Sequence, residues 1–568
     1  MTFSRAVASK PFRYTPFFNE SANPVQVSYR KLDLGSGIKV SRGPDGADFL
    51  NIDPSVLSAL TKEAMTDINY FFRTAHLSSL RSILDDPDAS ANDKFVAYEL
   101  LRNATISSAR VLPSCQDTGT GVIVCHRGER ILTGGGDEEA LSKGVYDSFK
   151  ENNFRYSQLA PLSMFKEVNT GTNLPCQVDI LHGHDPLKYD FLFVAKGGGS
   201  ANKTQLIQKT KAVLREEELE AFITERLSAL GTAACPPYHL ALVIGGLSAE
   251  QCLKTVKLVS CKALDGLPTE GSELGHAFRD LDWEKRVLQI GTRLGIGAQF
   301  GGKYFLHDAR VVRLPRHGAS VPIGIGVSCS ADRQALAHIT PEGVFLEQLE
   351  QDPARFLPAG IPPEGEALKL DIDKLGMEGL LSAVSKLPVS TRVTLSGTLV
   401  VARDIAHAKI AERIRSGGDL PSYIRDYPVY YAGPAKKPDS KASGSFGPTT
   451  AGRMDPYLAE FQSRGGSLIS IGKGNRSDQA VNSCKKYGGF YLGSIGGVAA
   501  ALAESFIKSV EVLDFEDLGM EAVWKIKVAD FPAFVVIDNK GNDFYKSLAE
   551  DIRLGKAKIP TEPVTCAH

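Results

Sequence analysis

The stretch Ser114-Cys115-Gln116-Asp117-Thr118-Gly119-Thr120, behind Pro113, sets a thiol, an amide, a carboxylate and hydroxyls side by side in turn-forming company. Burying a thiolate or an ionised acid without a partner is costly, so a core would not be built this way. Two more cysteines have similar surroundings far downstream, Cys235 in Thr232-Ala233-Ala234-Cys235-Pro236-Pro237 and Cys329 in Gly326-Val327-Ser328-Cys329-Ser330-Ala331-Asp332. A single cysteine usually acts as a small buried hydrophobe. Cys125, Cys176, Cys252, Cys261, Cys484 and Cys566 fit that role, several of them inside apolar stretches or in the tail. Cys115, Cys235 and Cys329 do not, because turn formers and small polar residues flank each. Their separations exclude the C-x-x-C spacing of zinc sites and the compact ferredoxin runs. The reading that uses all of them is one iron–sulfur cluster on these thiolates, with Gln116 and Asp117 acting on a substrate bound to it. An iron left without a protein ligand is what a Lewis-acid catalyst needs.

Candidate anion binders accompany this set: Arg155, Arg403, Arg453 and Lys473. The planar fork of arginine matches a carboxylate in bidentate fashion, so several together suit a small dicarboxylate. Each alone reads as a surface charge. The loop from Ser443 to Arg453 joins hydroxyls, glycines and a terminal arginine with no hydrophobic purpose. An Asp-plus-hydroxyl pair such as Asp117 and Thr449 can manage proton transfer at adjacent carbons. Lys196-Gly197-Gly198-Gly199-Ser200 follows an apolar strand, and its glycines let backbone N–H groups approach an anion closely. A plain tight connection is the bland alternative. Gly295 to Gly302 is glycine-rich but misses the dinucleotide-binding frame.

These residues need a scaffold of more than one core, since 568 residues exceed what a single core serves. A 43% apolar, 23% charged composition is that of a globular protein, and a formal net charge of -1 encodes no global pull toward nucleic acid or an anionic membrane. No apolar run approaches the ~18 residues that span a bilayer. Nine scattered cysteines lack the spacing of a secreted disulfide framework and point to a reducing compartment. Arg5, Lys10 and Arg13 without an acid in the first 18 residues resemble a transit peptide, although a disordered basic terminus is the preferred reading.

Residues 1–50 read as irregular. Asp53-Pro54 signals a helix start, and Leu57, Leu60, Ala64, Ile68 and Phe71 mark its buried face. A second helix is predicted from Asp93 to Arg102 and a charged one over 276–290. Strands are predicted at 121–125, 191–195, 240–244, 398–401, 467–471, 490–492 and 533–537, with Asp404 capping a helix after Arg403. The proline-rich stretch 351–366 reads as a linker. The expected fold class is α/β. An N-terminal cluster-binding domain spans 51–350, a C-terminal domain spans 367–550 and closes over the active site, and 551–568 form a tail.

The chain resembles the class I fumarate hydratases, the iron–sulfur, oxygen-sensitive family. The matching motifs are Leu112 to Thr120, Lys196 to Lys203, Gly231 to Pro237, Arg313 to Ser320, Gly326 to Arg333, Gly447 to Met454 and Lys473-Gly474-Asn475-Arg476. They cover about residue 55 to residue 545 and lapse at both ends. The resemblance implies a homodimer with one [4Fe–4S] cluster per subunit on Cys115, Cys235 and Cys329, and reversible hydration of fumarate to (S)-malate. It implies that Gln116, Arg155, Gly198, Arg403, Arg453 and Lys473 hold the substrate carboxylates. Thr449 and Asp117 match the proton-transfer pair, and His317 matches a residue reaching in from the partner subunit. Nucleic acid and membrane are not expected partners. The cytoplasm is the expected location, with the mitochondrial matrix as alternative. The rival readings are a related dicarboxylate hydro-lyase such as a tartrate dehydratase, a cluster-based sensor without turnover, and a phosphate-binding transferase. The last lacks a lysine–hydroxyl pair after its glycines.

Overall fold

The computed structural model describes residues 11–19, 26–360 and 367–554. Arg5, Lys10, Cys566 and the end of the expected linker, 361–366, lie outside them.

Local signals set the helices. The Asp53 carboxylate accepts from Ser55 N at 2.8 Å, and the helix Pro54–Tyr70 behind it buries Leu57, Leu60, Ala64 and Ile68, with buried Phe71 as its C-cap. The helix predicted from Asp93 runs Ala91–Ser107 because Ser90 caps it through Asp93 N. The charged helix is Leu281–Arg293. Asp280 caps it, and Phe278–Arg279 instead pair with the strand Leu306–Arg316. Residues before 50 are not wholly irregular, since Tyr29–Leu32, Ile38–Arg42 and Asp48–Ile52 are strands. Their exposed faces explain why no apolar period announced them. The last described helix, Phe544–Arg553, runs into the expected tail.

Two large sheets form before residue 350, beside a three-stranded and a two-stranded one. One runs Tyr29–Leu32, Gly343–Glu347, Gln334–Thr340, Tyr189–Lys196, Thr120–Arg127, Gln177–His182, antiparallel except for its last pair. The other runs Gln205–Lys209, Val321–Ser328, Tyr238–Gly246, Leu306–Arg316, Phe278–Arg279. Strand alternation sorts their side chains between layers. Ile123 and Cys125 face the helices Pro54–Tyr70 and Asp137–Glu151, while Val122 and Val124 join Ala241 and Val243 in an inner layer. Leu240, Leu242 and Ile244 turn to the opposite core.

The third large sheet draws its strands from 368–537. Arg392–Val401, Val429–Tyr430, Ile469–Gly472, Phe490–Gly493 and Val523–Ile537 pair in that order, and the last pairs back onto the first. This closed ring has no free edge within it. Its parallel strands deliver Arg403, Lys473 and the Ser494–Gly497 turn at their C-terminal ends, where open α/β sheets usually bind ligands. Asp404 does not cap its helix. The helix Asp404–Arg415 starts at that residue with Arg403 as N-cap, and Asp404 pairs with arginines instead.

Candidate active site

The three cysteine loops are fastened to each other and to the helices behind them. Ser114 N donates to Asn69 O at 2.9 Å, and Asn103 Nδ2 donates to Ser114 O at 2.9 Å. Asn103 Oδ1 accepts from Ala500 N and Ala501 N, so one buried amide couples the first loop to the ring sheet. Cys235 sits at φ +65°, a conformation side chains rarely adopt. It is held there by its own N–H on Thr232 O and by Ser330 N donating to Cys235 O, both at 3.0 Å. That second bond ties the Cys235 loop to the Cys329 loop. Asn475, from beyond the ring strand Ile469–Gly472, accepts from Thr232 N at 3.0 Å.

The thiols are close enough to perturb one another. Burial raises Cys115, with the charges of Asp117 and Cys329 adding to it and Arg333 and Lys473 opposing. Burial also pushes Cys235 up to about 11 against the pull of Lys473. Lys473 Nζ donates to Cys235 Sγ at 2.9 Å; burial would lower this lysine, but Cys235, Cys115 and Cys329 together raise it. Gly496 flanks the same sulfur, where a Cβ would stand 2.3 Å from Cys235 Sγ. Three converging thiols, a bare backbone beside one of them and a cation facing all three fit an iron–sulfur cluster.

Asp117 lies half-buried beside this set. Its Oδ2 accepts from Gly198 N at 2.8 Å, and Arg155 Nη2 stands 3.3 Å from Oδ1. Burial pushes this carboxyl up, but Arg155, Arg333 and the Gly198 N–H hold it below the ordinary range, so it is a carboxylate at neutral pH. Gln116 Nε2 donates to Pro448 O at 3.3 Å, which lays Thr449 alongside. Thr449 is fixed by its N–H on Tyr431 O at 2.7 Å and by Lys473 N donating to its carbonyl at 3.1 Å.

Arg403 and Arg453 form the far wall. Arg403 Nη2 pairs with Glu521 Oε1 at 2.6 Å, and Arg453 Nη2 with Asp404 Oδ2 at 2.5 Å. Burial lowers Arg403, and so do the neighbouring charges of Arg155 and Arg453. Three guanidinium groups therefore share one region. Arg403 Nε and Arg333 Nε are buried without a hydrogen-bond partner among the described residues, donors left over for something else.

The structure thus gathers Cys115, Cys235, Cys329, Gln116, Asp117, Arg155, Gly198, Arg403, Arg453, Lys473 and the Thr449 backbone. His317 stands apart: it is exposed at the hairpin between Leu306–Arg316 and Val321–Ser328, its Nδ1 accepting from Ala319 N. Of the other cysteines, Cys125, Cys252, Cys261 and Cys484 are buried, and Cys176 is half-buried against Ser142. Sequence reasoning did not single out Arg333, Asp404 or Glu521. Arg333, buried beside Asp117 and bonded to Asn69 Oδ1, had a signal in its place four residues after Cys329. Glu521 had none, because its neighbourhood is polar and far from every motif.

The family model for fumarate hydratase (Fumerase) matches residues 58–338, and that for the fumarase C-terminus matches 343–548. The aerobic class I fumarate hydratase of Escherichia coli is 54% identical over 545 residues, 95% of this chain and 98% of that protein. Fumarate hydratase 1, mitochondrial, of Leishmania major is 54% identical over 542 residues, 94% of this chain and 98% of that protein. A putative L(+)-tartrate dehydratase subunit beta of Methanocaldococcus jannaschii is 37% identical over 173 residues, 30% of this chain and 89% of that protein. With both family models matched in order and relatives similar across nearly their whole length, the chain belongs to the class I fumarate hydratase family.

Proposed function

We propose that this chain catalyses the reversible hydration of fumarate to (S)-malate, as a homodimer with one [4Fe–4S] cluster per subunit held by Cys115, Cys235 and Cys329. The observation that carries this is the convergence of the three thiols with Lys473 and a bank of arginines. A bound cluster supplies Lewis-acid polarisation through the iron that no cysteine holds.

The chain's own side chains do the rest. Arg155, Arg403, Arg453, Lys473, Gln116 and the Gly198 N–H bind the two substrate carboxylates, and Asp404 and Glu521 hold the arginine forks in place. These cations also stabilise the extra negative charge on a carboxylate as the C3 proton moves. In hydration, the ionised Asp117 accepts the proton released as oxygen adds at C2, and the Thr449 hydroxyl delivers a proton to C3. In dehydration the roles reverse. Arg453, four residues on, and Lys473 lower the cost of a charged Thr449 oxygen. His317 completes the site of the other subunit. We assign residues 51–350 to the cluster-binding unit and 367–550 to the unit closing over it.

The test is anaerobic reconstitution with ferrous iron and sulfide, followed by turnover of fumarate, (S)-malate and tartrate by one preparation. Fumarate and malate turnover far above tartrate is expected. Dominant tartrate turnover would establish the related dehydratase, a reading the tartrate dehydratase relative favours over the 173 residues it shares with this chain, and a full cluster without turnover would establish a sensor. Among the described residues no helix is long and apolar enough to cross a membrane. We place the enzyme in the cytoplasm, with the mitochondrial matrix as the alternative that fractionation of the source cells decides.

A further inference from the structure

Behind the cysteine loops, and outside the machinery described above, three histidines meet in the core. His76 comes from the helix Thr74–Asp85, His239 from the strand Tyr238–Gly246 and His307 from Leu306–Arg316. Their exposures are 1%, 1% and 5%, and one ring nitrogen from each lies within 4.8 Å of the others.

Hydrogen bonds on the outer sides of the His76 and His239 rings fix their tautomers. His76 Nε2 lies 3.2 Å from Ser330 O, a carbonyl that can only accept, so His76 carries its proton there. His239 Nδ1 lies 2.9 Å from Asp308 Oδ2, and that carboxylate is paired with Arg310 at 2.8 Å, so His239 carries its proton on Nδ1. The remaining nitrogens, His76 Nδ1 and His239 Nε2, then face each other at 3.0 Å with a lone pair on each. Two lone pairs at that distance repel unless a positive centre sits between them. A shared proton would satisfy those two nitrogens alone. It would leave His307 Nε2 and Asp332 Oδ2, both buried and without a hydrogen-bond partner among the described residues, as they are. Asp332 Oδ2 is 3.7 Å from His239 Nε2, and Lys262 Nζ reaches it only at 3.5 Å. Buried polar atoms of this kind are expensive to leave unmet.

We propose that His76 Nδ1, His239 Nε2 and a ring nitrogen of His307 form a second metal site, distinct from the three cysteines, that takes a divalent ion of the zinc type, with Asp332 Oδ2 the carboxylate beside it at 3.7 Å from His239 Nε2. Three imidazoles with a fourth position left open are an ordinary set for zinc. The Asp308 and Ser330 contacts are the outer hydrogen bonds that orient ligating imidazoles in such centres. His239 follows Cys235 by four residues and His76 bonds Ser330, next to Cys329, so an ion here braces two of the three cysteine loops from behind.

The test uses full-length, cluster-loaded protein incubated anaerobically with zinc sulfate and desalted. Zinc, iron and sulfide are then counted, and zinc-edge X-ray absorption reads the ligands. About one zinc per chain is expected, with nitrogen and oxygen neighbours near ~2.0–2.1 Å and no sulfur near ~2.3 Å. His76→Gln and His307→Gln should lose the zinc and keep the iron. No retained zinc in the wild-type protein, a sulfur shell, or zinc undiminished in both folded variants overturns the assignment. The wild-type measurement decides alone if neither variant folds.

Discussion

At the scale of single residues, the proposed mechanism separates groups that bind from groups that move protons. Thr449→Val keeps the backbone that Tyr431 and Lys473 hold but removes the hydroxyl. It should lower kcat by on the order of 10²–10⁴-fold, with KM nearly unchanged and a full cluster. Proton exchange at C3 of malate, read in a single turnover, checks the assignment; wild-type exchange in this variant would make Thr449 a positioning hydroxyl only. Arg403→Ala should act the other way, raising KM strongly because a buried carboxylate loses its partner. It also strands Glu521, whose carboxyl burial already raises against the pull of Arg403. Serine at Cys115, Cys235 or Cys329 should abolish visible cluster absorbance and activity together, whereas serine at Cys125, Cys252 or Cys484 spares both. A full cluster in Cys235→Ser would sink the ligand assignment.

At the scale of elements, loops from separate sheets must stop at the same place, and close packing shows how they do. The Ser494–Gly497 turn ends Phe490–Gly493 directly against Cys235, so Gly496→Ala drives a methyl into Sγ. Iron and sulfide content should fall while far-UV circular dichroism stays native; normal cluster loading would show that the turn can shift aside. Asn103 is the matching joint on the other side, one amide bonded to Ser114 O, Ala500 N and Ala501 N. Asn103→Ala leaves these buried groups unmet and should cost on the order of 2–4 kcal/mol in denaturant unfolding. Sequence reading placed the strands around these joints well, because apolar runs such as 191–195 and 533–537 carry their own signal. It missed the strands before residue 50, where exposed polar positions outnumber buried ones, and it assigned Asp404 to capping when its carboxylate serves Arg403 and Arg453.

At the scale of the whole molecule, His317 is the residue a single chain leaves unexplained. It is exposed on a hairpin and bonded only within that hairpin, so its contribution is to be sought across a subunit boundary. His317→Ala and Cys115→Ser should each be nearly inactive alone. Co-expressed, they should form mixed dimers in which the cluster-free subunit lends its His317 to the intact site of the other. Such a mixture recovers about a quarter of wild-type activity if pairing is random and each mixed dimer holds one complete site. No recovery in mixed dimers isolated by two affinity tags would place His317 outside the site.

The sequence by itself determined the chemistry of the loops. Cysteine beside glutamine and aspartate, a hydroxyl loop ending in Arg453, and lysine or arginine just past strand ends are local features, legible because turn formers and burial costs act over a few residues. Only the tertiary structure decided which of these groups meet. Cys115 and Cys235 are 120 positions apart along the chain, and a shared lysine from a third region stands between their charges. The tertiary structure alone also showed the arginine partners Asp404 and Glu521, the placement of Arg333 against Asp117, and the His76, His239 and His307 cluster. Each of those histidines stands alone in its own element, and what sets them apart is their convergence in the core, which no local pattern records.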